Sequence, residues 1–262
     1  MRRSSLETVV AESEKFTTSL VLLHGLWCQP AVWRRFMGLL AHRGWTCQAV
    51  PLPGRTADEG GEAARHLTLR DYVERVRDVV ASCAAPPVVV GHDLGGFLAL
   101  SGAAASASAV VAMAPLLPGG FLRRNPALMG VRQRLALAWG DQLPPPRGRR
   151  AEAYFGREAA ALPIPEPCGV VRDLRALPRE PLAPRSVPTL ILAATADAFC
   201  PRDALAAWAS RCGAELRDVQ GAAHGLPWVA GWESRASEIH RWLVQQLGEP
   251  LLLPRDEDDD EQ

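Results

Sequence analysis

Six short apolar runs punctuate the chain, at about 19–24, 45–50, 88–92, 109–114, 189–194 and 214–219. Stretches of helical pattern lie between or after them, near 30–41, 68–84, 95–106, 203–212 and 234–247. Short apolar runs bounded by turn-forming residues read as strands buried on both faces, and their alternation with helices predicts a mostly parallel sheet with flanking helices. The spacing Asp71, Val73, Val76, Val79 and Val80 gives the second helix one apolar face. From Pro115 to Val187 the alternation stops. That stretch is rich in Pro, Arg and Ala, has weaker helical patterns at about 126–139, 150–160 and 166–176, and is broken at Pro144-Pro145-Pro146. The expected organisation is an N-terminal extension at 1–18, a core at 19–114 and 188–248, a short helical cap inserted at 115–187, and an acidic, disordered tail at 249–262. The extension leaves little room for extra N-terminal strands, so six parallel strands are the expected minimum.

At 262 residues and 48% hydrophobic content, the chain suits one large α/β domain. Formal net charge is zero, but six of the 29 acids sit at Asp256 to Glu261, so the rest of the chain is basic by +6. The arginines are scattered and no aromatic platform accompanies them, so no nucleic-acid partner is expected. Met1 to Phe16 lacks the apolar centre of a signal peptide, and no segment has the apolar length of a membrane span. A cytoplasmic location without a membrane partner is the expectation. The six cysteines, at 28, 47, 83, 168, 200 and 212, form no C-x-x-C pair and no metal-like spacing. They read as reduced, structural thiols, with Cys28 and Cys200 near predicted strand ends. Nothing in the pattern sets an oligomeric state.

The chemistry concentrates at predicted strand ends. Gly91-His92-Asp93-Leu94-Gly95-Gly96 joins Pro87-Val88-Val89-Val90 to a small-residue helix. Leu20 to Leu23 ends in His24-Gly25-Leu26-Trp27, Thr189 to Ala194 ends in Thr195-Ala196-Asp197, and Ala214 to Val219 leads to Gly221-Ala222-Ala223-His224-Gly225. From about Ser19 to Leu247 the chain resembles the α/β-hydrolase superfamily, whose G-x-S-x-G elbow carries a nucleophile between glycines and whose order is nucleophile, acid, histidine. Aspartate replaces serine at the elbow. The body is otherwise similar to small serine esterases, whereas the aspartate resembles the dehalogenase and epoxide-hydrolase branch, which attacks carbon with a carboxylate.

The resemblance implies a triad of Asp93, His224 and Asp197, with an oxyanion hole from the backbone N–H groups of Leu26 and Leu94. Trp27, Tyr154, Trp139 and Trp228 are candidate pocket residues for a small-molecule substrate. No cofactor or metal is implied. His92 reads as packing beside the nucleophile, and His24 as shaping the oxyanion loop. Leu94 and Leu26 stand where haloalkane dehalogenases carry halide-binding Trp and Asn, and neither Leu94 nor Phe97 supplies the arginine of haloacetate dehalogenases. Epoxide hydrolases use cap tyrosines, and of the two tyrosines only Tyr154 lies outside a framework helix. Three functions follow as expectations. The first is hydrolysis of a carbon–halogen or epoxide bond through an alkyl-Asp93 ester. The second is non-hydrolytic tailoring in a natural-product pathway, as an epimerase, cyclase or lyase, with Asp93 and His224 as acid and base. The third is a binding protein without turnover.

Overall fold

In the computed structural model, residues 6–56, 62–101, 105–118, 129–156, 163–178 and 186–248 are described. The strands are β1 (Glu7–Val9), β2 (Leu20–Leu23), β3 (Cys47–Val50), β4 (Val88–His92), β5 (Ala109–Met113), β6 (Gln142–Leu143), β7 (Glu166–Pro167), β8 (Thr189–Ala194) and β9 (Glu215–Val219). The helices are α1 (Arg34–His42), α2 (Glu62–Arg65), α3 (Leu69–Ser82), α4 (Leu94–Leu100), α5 (Val131–Trp139), α6 (Arg149–Phe155), α7 (Cys168–Ala176), α8 (Arg202–Cys212) and α9 (Trp232–Leu247).

Seven strands form one sheet in the order β1-β3-β2-β4-β5-β8-β9. All neighbours pair in parallel except β1, which runs antiparallel to β3 with Glu7 opposite Ala49 and Val9 opposite Cys47. This order and these directions agree with the mostly parallel sheet that the resemblance implies. The edge strand β1 lies within the extension expected at 1–18, and joins the six parallel strands as one short antiparallel strand. It is a three-residue strand held by backbone pairing, with half-exposed side chains, so it leaves no apolar run to read.

The inner strands β2, β4, β5 and β8 are buried along their whole length. Their β-branched and leucine side chains fill the layers between sheet and helices, which is why the runs are continuous and do not alternate. On α3, Leu69, Tyr72, Val76, Val79 and Val80 are buried. Asp71 is not on that face: its Oδ2 accepts from the Thr68 amide at 2.7 Å and the Thr68 hydroxyl at 2.6 Å, capping the helix start.

The segment between β5 and β8 holds α5, α6, α7 and the antiparallel pair β6–β7, with Leu143 opposite Glu166. That short pair replaces the expected helix start at 166. Parts of the expected helices, at 102–104, 126–128 and 157–160, lie outside the described residues, as does the acidic tail at 249–262. No helix among the described residues is long and apolar enough to cross a membrane. All six cysteines are free thiols, five of them buried.

Candidate active site

Asp93 sits between β4 and α4 at φ 52° and ψ −115°, a conformation that costs a non-glycine residue about 1–3 kcal/mol. The turn is held on both sides of the residue. The Asp93 N–H donates to the Met113 carbonyl at 3.1 Å, and its own carbonyl accepts from Phe97 at 3.0 Å and Leu116 at 2.9 Å. The flanking glycines permit the close approach: a Cβ on Gly91 would lie 2.1 Å from the Gly95 carbonyl oxygen, and one on Gly95 would lie 2.1 Å from that of Leu23. The result is a fully buried carboxylate just past the C-terminal end of β4.

The two carboxylate oxygens have different surroundings. Oδ2 accepts from the Leu26 amide at 2.8 Å and from the Tyr154 hydroxyl. Oδ1 has no hydrogen-bond partner and faces His224 Nε2, likewise unpartnered, at 3.5 Å. His224 Nδ1 is held at 2.8 Å by Asp197 Oδ2. Asp197 Oδ1 is in turn fixed by the amides of Phe199 at 2.7 Å and Cys200 at 3.2 Å. The chain therefore brings Asp93, His224 and Asp197 into one line, with Leu26 and Tyr154 at its near end. Leu94 is the first residue of α4, directly after Asp93.

These contacts set the charges. Burial opposes ionisation of Asp93, but the adjacent His224 ring and its charge, the His92 ring and the Tyr154 hydroxyl outweigh it and hold the carboxyl below its usual value. Burial likewise opposes a cationic His224, and the charge and hydrogen bond of Asp197, followed by Asp93, raise it well above the usual imidazole value. These directions favour an ionised Asp93 beside a protonated His224. Burial first, then the Asp93 charge, push the Tyr154 hydroxyl well above its ordinary value, so it stays a proton donor. His92 and His24 are driven the other way, to about 4 and about 3, chiefly by burial. His92 lies against the site, its Nε2 contacting the His224 carbonyl oxygen at 2.9 Å.

Aromatic rings wall the row. The Tyr154 ring lies 4.5 Å from that of His224, 5.1 Å from Trp27 and 5.1 Å from Phe199. Trp27 is buried at φ 58°, and its indole N–H donates to the Leu143 carbonyl at 3.1 Å. The Trp228 ring lies 5.0 Å from His92, with its N–H on the Phe155 carbonyl at 2.6 Å. Trp139 is a correction: it is 82% exposed at the end of α5 and lines nothing in this site. The residues that bury α5 are Gln133 and Leu137, so Trp139 turns outward on the opposite side.

A buried cluster that the sequence did not announce supports the loop carrying Leu26. Glu166 Oε2 accepts from the Trp27 amide at 2.9 Å and lies 3.4 Å from the Arg55 guanidinium, while Oε1 accepts from the Tyr72 hydroxyl at 2.7 Å. Arg55 also donates to the carbonyls of Cys28, Ile164 and Pro165. The cluster draws on four distant chain segments and has no local signature. Its one legible trace is Glu166 itself, a lone carboxylate between two prolines in an apolar stretch.

Among the described residues, Asp197, Cys200 and His224 place three metal-ligand atoms within 4.8 Å of one another. Both Asp197 oxygens are already satisfied by the Phe199 and Cys200 amides and by His224, so the triad hydrogen bonds account for this grouping.

Residues 20–238 match the model of the alpha/beta hydrolase family. A pyrethroid hydrolase of Sphingobium wenxiniae is 33% identical over 82 residues, which is 30% of this chain and only 28% of the length of that protein. Among solved structures, a monoacylglycerol lipase of Paleococcus ferrophilus superposes with a TM-score of 0.67 at 18% identity, covering 93% of this chain and all of that one. A soluble variant of the monoglyceride lipase of Saccharomyces cerevisiae reaches 0.73 at 13% identity, over 92% and 91% of the two chains. At these identities the structural likeness establishes the fold.

Proposed function

The chain belongs to the alpha/beta hydrolase family, and from that premise we propose that it hydrolyses an epoxide through an alkyl ester on Asp93. The observation that carries this reading is the division of the Asp93 carboxylate. Oδ2 is anchored by the Leu26 amide and the Tyr154 hydroxyl, while Oδ1 accepts no hydrogen bond and is ion-paired with the His224 ring at 3.5 Å. A carboxylate anchored through one oxygen, with the other free of hydrogen bonds, is a pre-oriented nucleophile.

In the proposed sequence, Oδ1 attacks an epoxide carbon, the ring C–O bond breaks, and the ring oxygen takes the Tyr154 proton. Esterification removes one of the two negative charges beside His224, so the imidazolium passes its proton to the Tyr154 phenolate left by ring opening, its ring 4.5 Å away, and becomes available as a base. His224 then takes a proton from water as that water attacks the ester carbonyl carbon. The Leu26 amide, already on Oδ2, stabilises the oxyanion there. Collapse expels the second alkoxide, which takes the proton held by His224. The resulting Asp93 carboxylic acid gives its proton to the now neutral His224, restoring the carboxylate and the imidazolium.

An epoxide fits better than a haloalkane because of the donors present. The indole N–H groups of Trp27 and Trp228 are committed to backbone carbonyls, and Tyr72 is committed to Glu166. Tyr154 is the O–H donor that touches Asp93, and it matches an alkoxide better than a halide. A carboxylate attacking an ordinary ester would have to form an anhydride, which disfavours esterase activity.

Trapping tests the reading. In His224→Gln, ester formation needs only the carboxylate while its hydrolysis has lost its base, so an aryl epoxide turned over by the native chain should leave an adduct on the peptide spanning Gly91 to Gly96. Conversion by the native chain with no adduct in the variant contradicts it. The enclosure of Asp93, His224 and Tyr154, all fully buried, favours a second reading, in which Asp93 and His224 act as acid and base on a substrate sealed from water. Its signature is exchange of a substrate C–H with solvent deuterium and no adduct.

A further inference from the structure

The outward face of α5 is more apolar than a solvated helix requires. Val131, Leu135 and Trp139 are spaced four residues apart, so they share one stripe, and they are 74%, 52% and 82% exposed. The helix is not loosely attached. Its inner face buries Gln133 and Leu137, its start is tied by Gln133 Oε1 accepting from the Gly130 amide at 3.1 Å, and its end by Arg172 donating to the carbonyls of Leu137 and Gly140 at 2.9 and 2.7 Å. The stripe therefore points away from the body because the anchoring residues lie opposite it. Exposed arginines Arg132 and Arg134 flank it on the helix, and a further exposed arginine, Arg150, has its guanidinium beside Gly130 at the helix start. Between 129 and 156 five arginines stand against two acids, Asp141 and Glu152.

We infer that this face docks on the surface of an anionic phospholipid layer. An apolar stripe carrying a tryptophan, bordered by arginines on an anchored helix, matches an acyl–headgroup boundary: the side chains enter the apolar edge and the guanidiniums meet phosphate and carboxylate groups. The arginines distinguish this occupant from a second copy of the chain, whose matching face would bring the same positive charges together. This is peripheral association, compatible with the absence of a spanning helix among the described residues. It does not depend on the reaction proposed above.

The test is co-sedimentation of the full chain with phosphatidylcholine vesicles, with and without about 30 mol% phosphatidylserine. The chain should bind the anionic vesicles, bind pure phosphatidylcholine at least roughly tenfold more weakly, and be released by salt. The double substitution Leu135→Ser/Trp139→Ser should lower partition roughly tenfold or more while leaving the melting temperature nearly unchanged, because both side chains are exposed. Failure to bind anionic vesicles, or undiminished binding by the variant, overturns the inference. So does a dimer in sedimentation equilibrium that the same variant dissociates, since that assigns the stripe to a second copy.

Discussion

Replacing Glu166 by Gln removes one charge and almost no volume, so it isolates what the buried ion pair does. Glu166 and Arg55 have side chains 1% and 0% exposed, 3.4 Å apart. Burial pushes the Glu166 carboxyl up, with the Arg55 charge and the hydrogen bonds from Tyr72 and Trp27 opposing it. Removing one member of a buried pair typically costs about 3–5 kcal/mol, because the other charge is left uncompensated. Arg55 keeps its bonds to the carbonyls of Cys28, Ile164 and Pro165, and glutamine keeps an acceptor for Tyr72, so the low end applies. The expected loss is about 3 kcal/mol, or roughly 6–12 °C in melting temperature for a domain of this size. Urea unfolding of Glu166→Gln, Arg55→Met and the double variant measures it, and the double variant should lose markedly less than the two singles summed. Activity should fall too, since the Trp27 amide that Glu166 holds adjoins the Leu26 amide on Asp93. A loss under about 1 kcal/mol, or additive single losses, would refute the claim that a charged pair fastens this loop.

Further consequences follow from the same contacts. His24 and His92 are held neutral down to about 3 and about 4; both are depressed from an unfolded value near 6.5, so the unfolded chain binds more protons as acid is added. Stability is then lost as pH falls from about 6.5 toward 4, approaching about 1.4 kcal/mol per pH unit for each histidine, and His92→Asn should flatten the slope measured by urea titration. Tyr154→Phe should lower kcat on an epoxide roughly 100-fold, the low end of what a positioned acid supplies, and an unchanged kcat would remove Tyr154 from the reaction. The native chain should barely turn over p-nitrophenyl acetate, whereas Asp93→Ser, completing a serine triad with His224 and Asp197, should gain weak esterase activity; a folded, inactive variant would count against the alignment of the row.

The readability of this fold followed burial. Val88, Val89 and Val90 could be read as a strand because both faces of β4 are covered, leaving no polar position to interrupt the run. The row of Asp93, Asp197 and His224 could be read because each follows the C-terminal end of a parallel strand, β4, β8 or β9, where short turn motifs mark the spot. β1 escaped because three residues paired through the backbone carry no hydrophobic pattern. Arg55 and Glu166 escaped because 111 positions of chain separate partners that only tertiary folding brings to 3.4 Å. Trp139 was misplaced for a different reason. α5 carries apolar residues on both faces, Leu137 inward and Val131, Leu135 and Trp139 outward, so its pattern does not say which side meets the body.

The central claim is that Asp93 forms the bond to carbon, and isotope transfer tests it most directly. In a single turnover with enzyme in excess in ¹⁸O-water, water attacks the ester at the Asp93 carbonyl carbon, so the account predicts label in the Asp93 carboxylate and none in the product's new oxygen. Mass spectrometry of the peptide containing Gly91 to Gly96 reads the first and of the product reads the second. Label that appears in the product while the Asp93 peptide stays unlabelled would contradict the account.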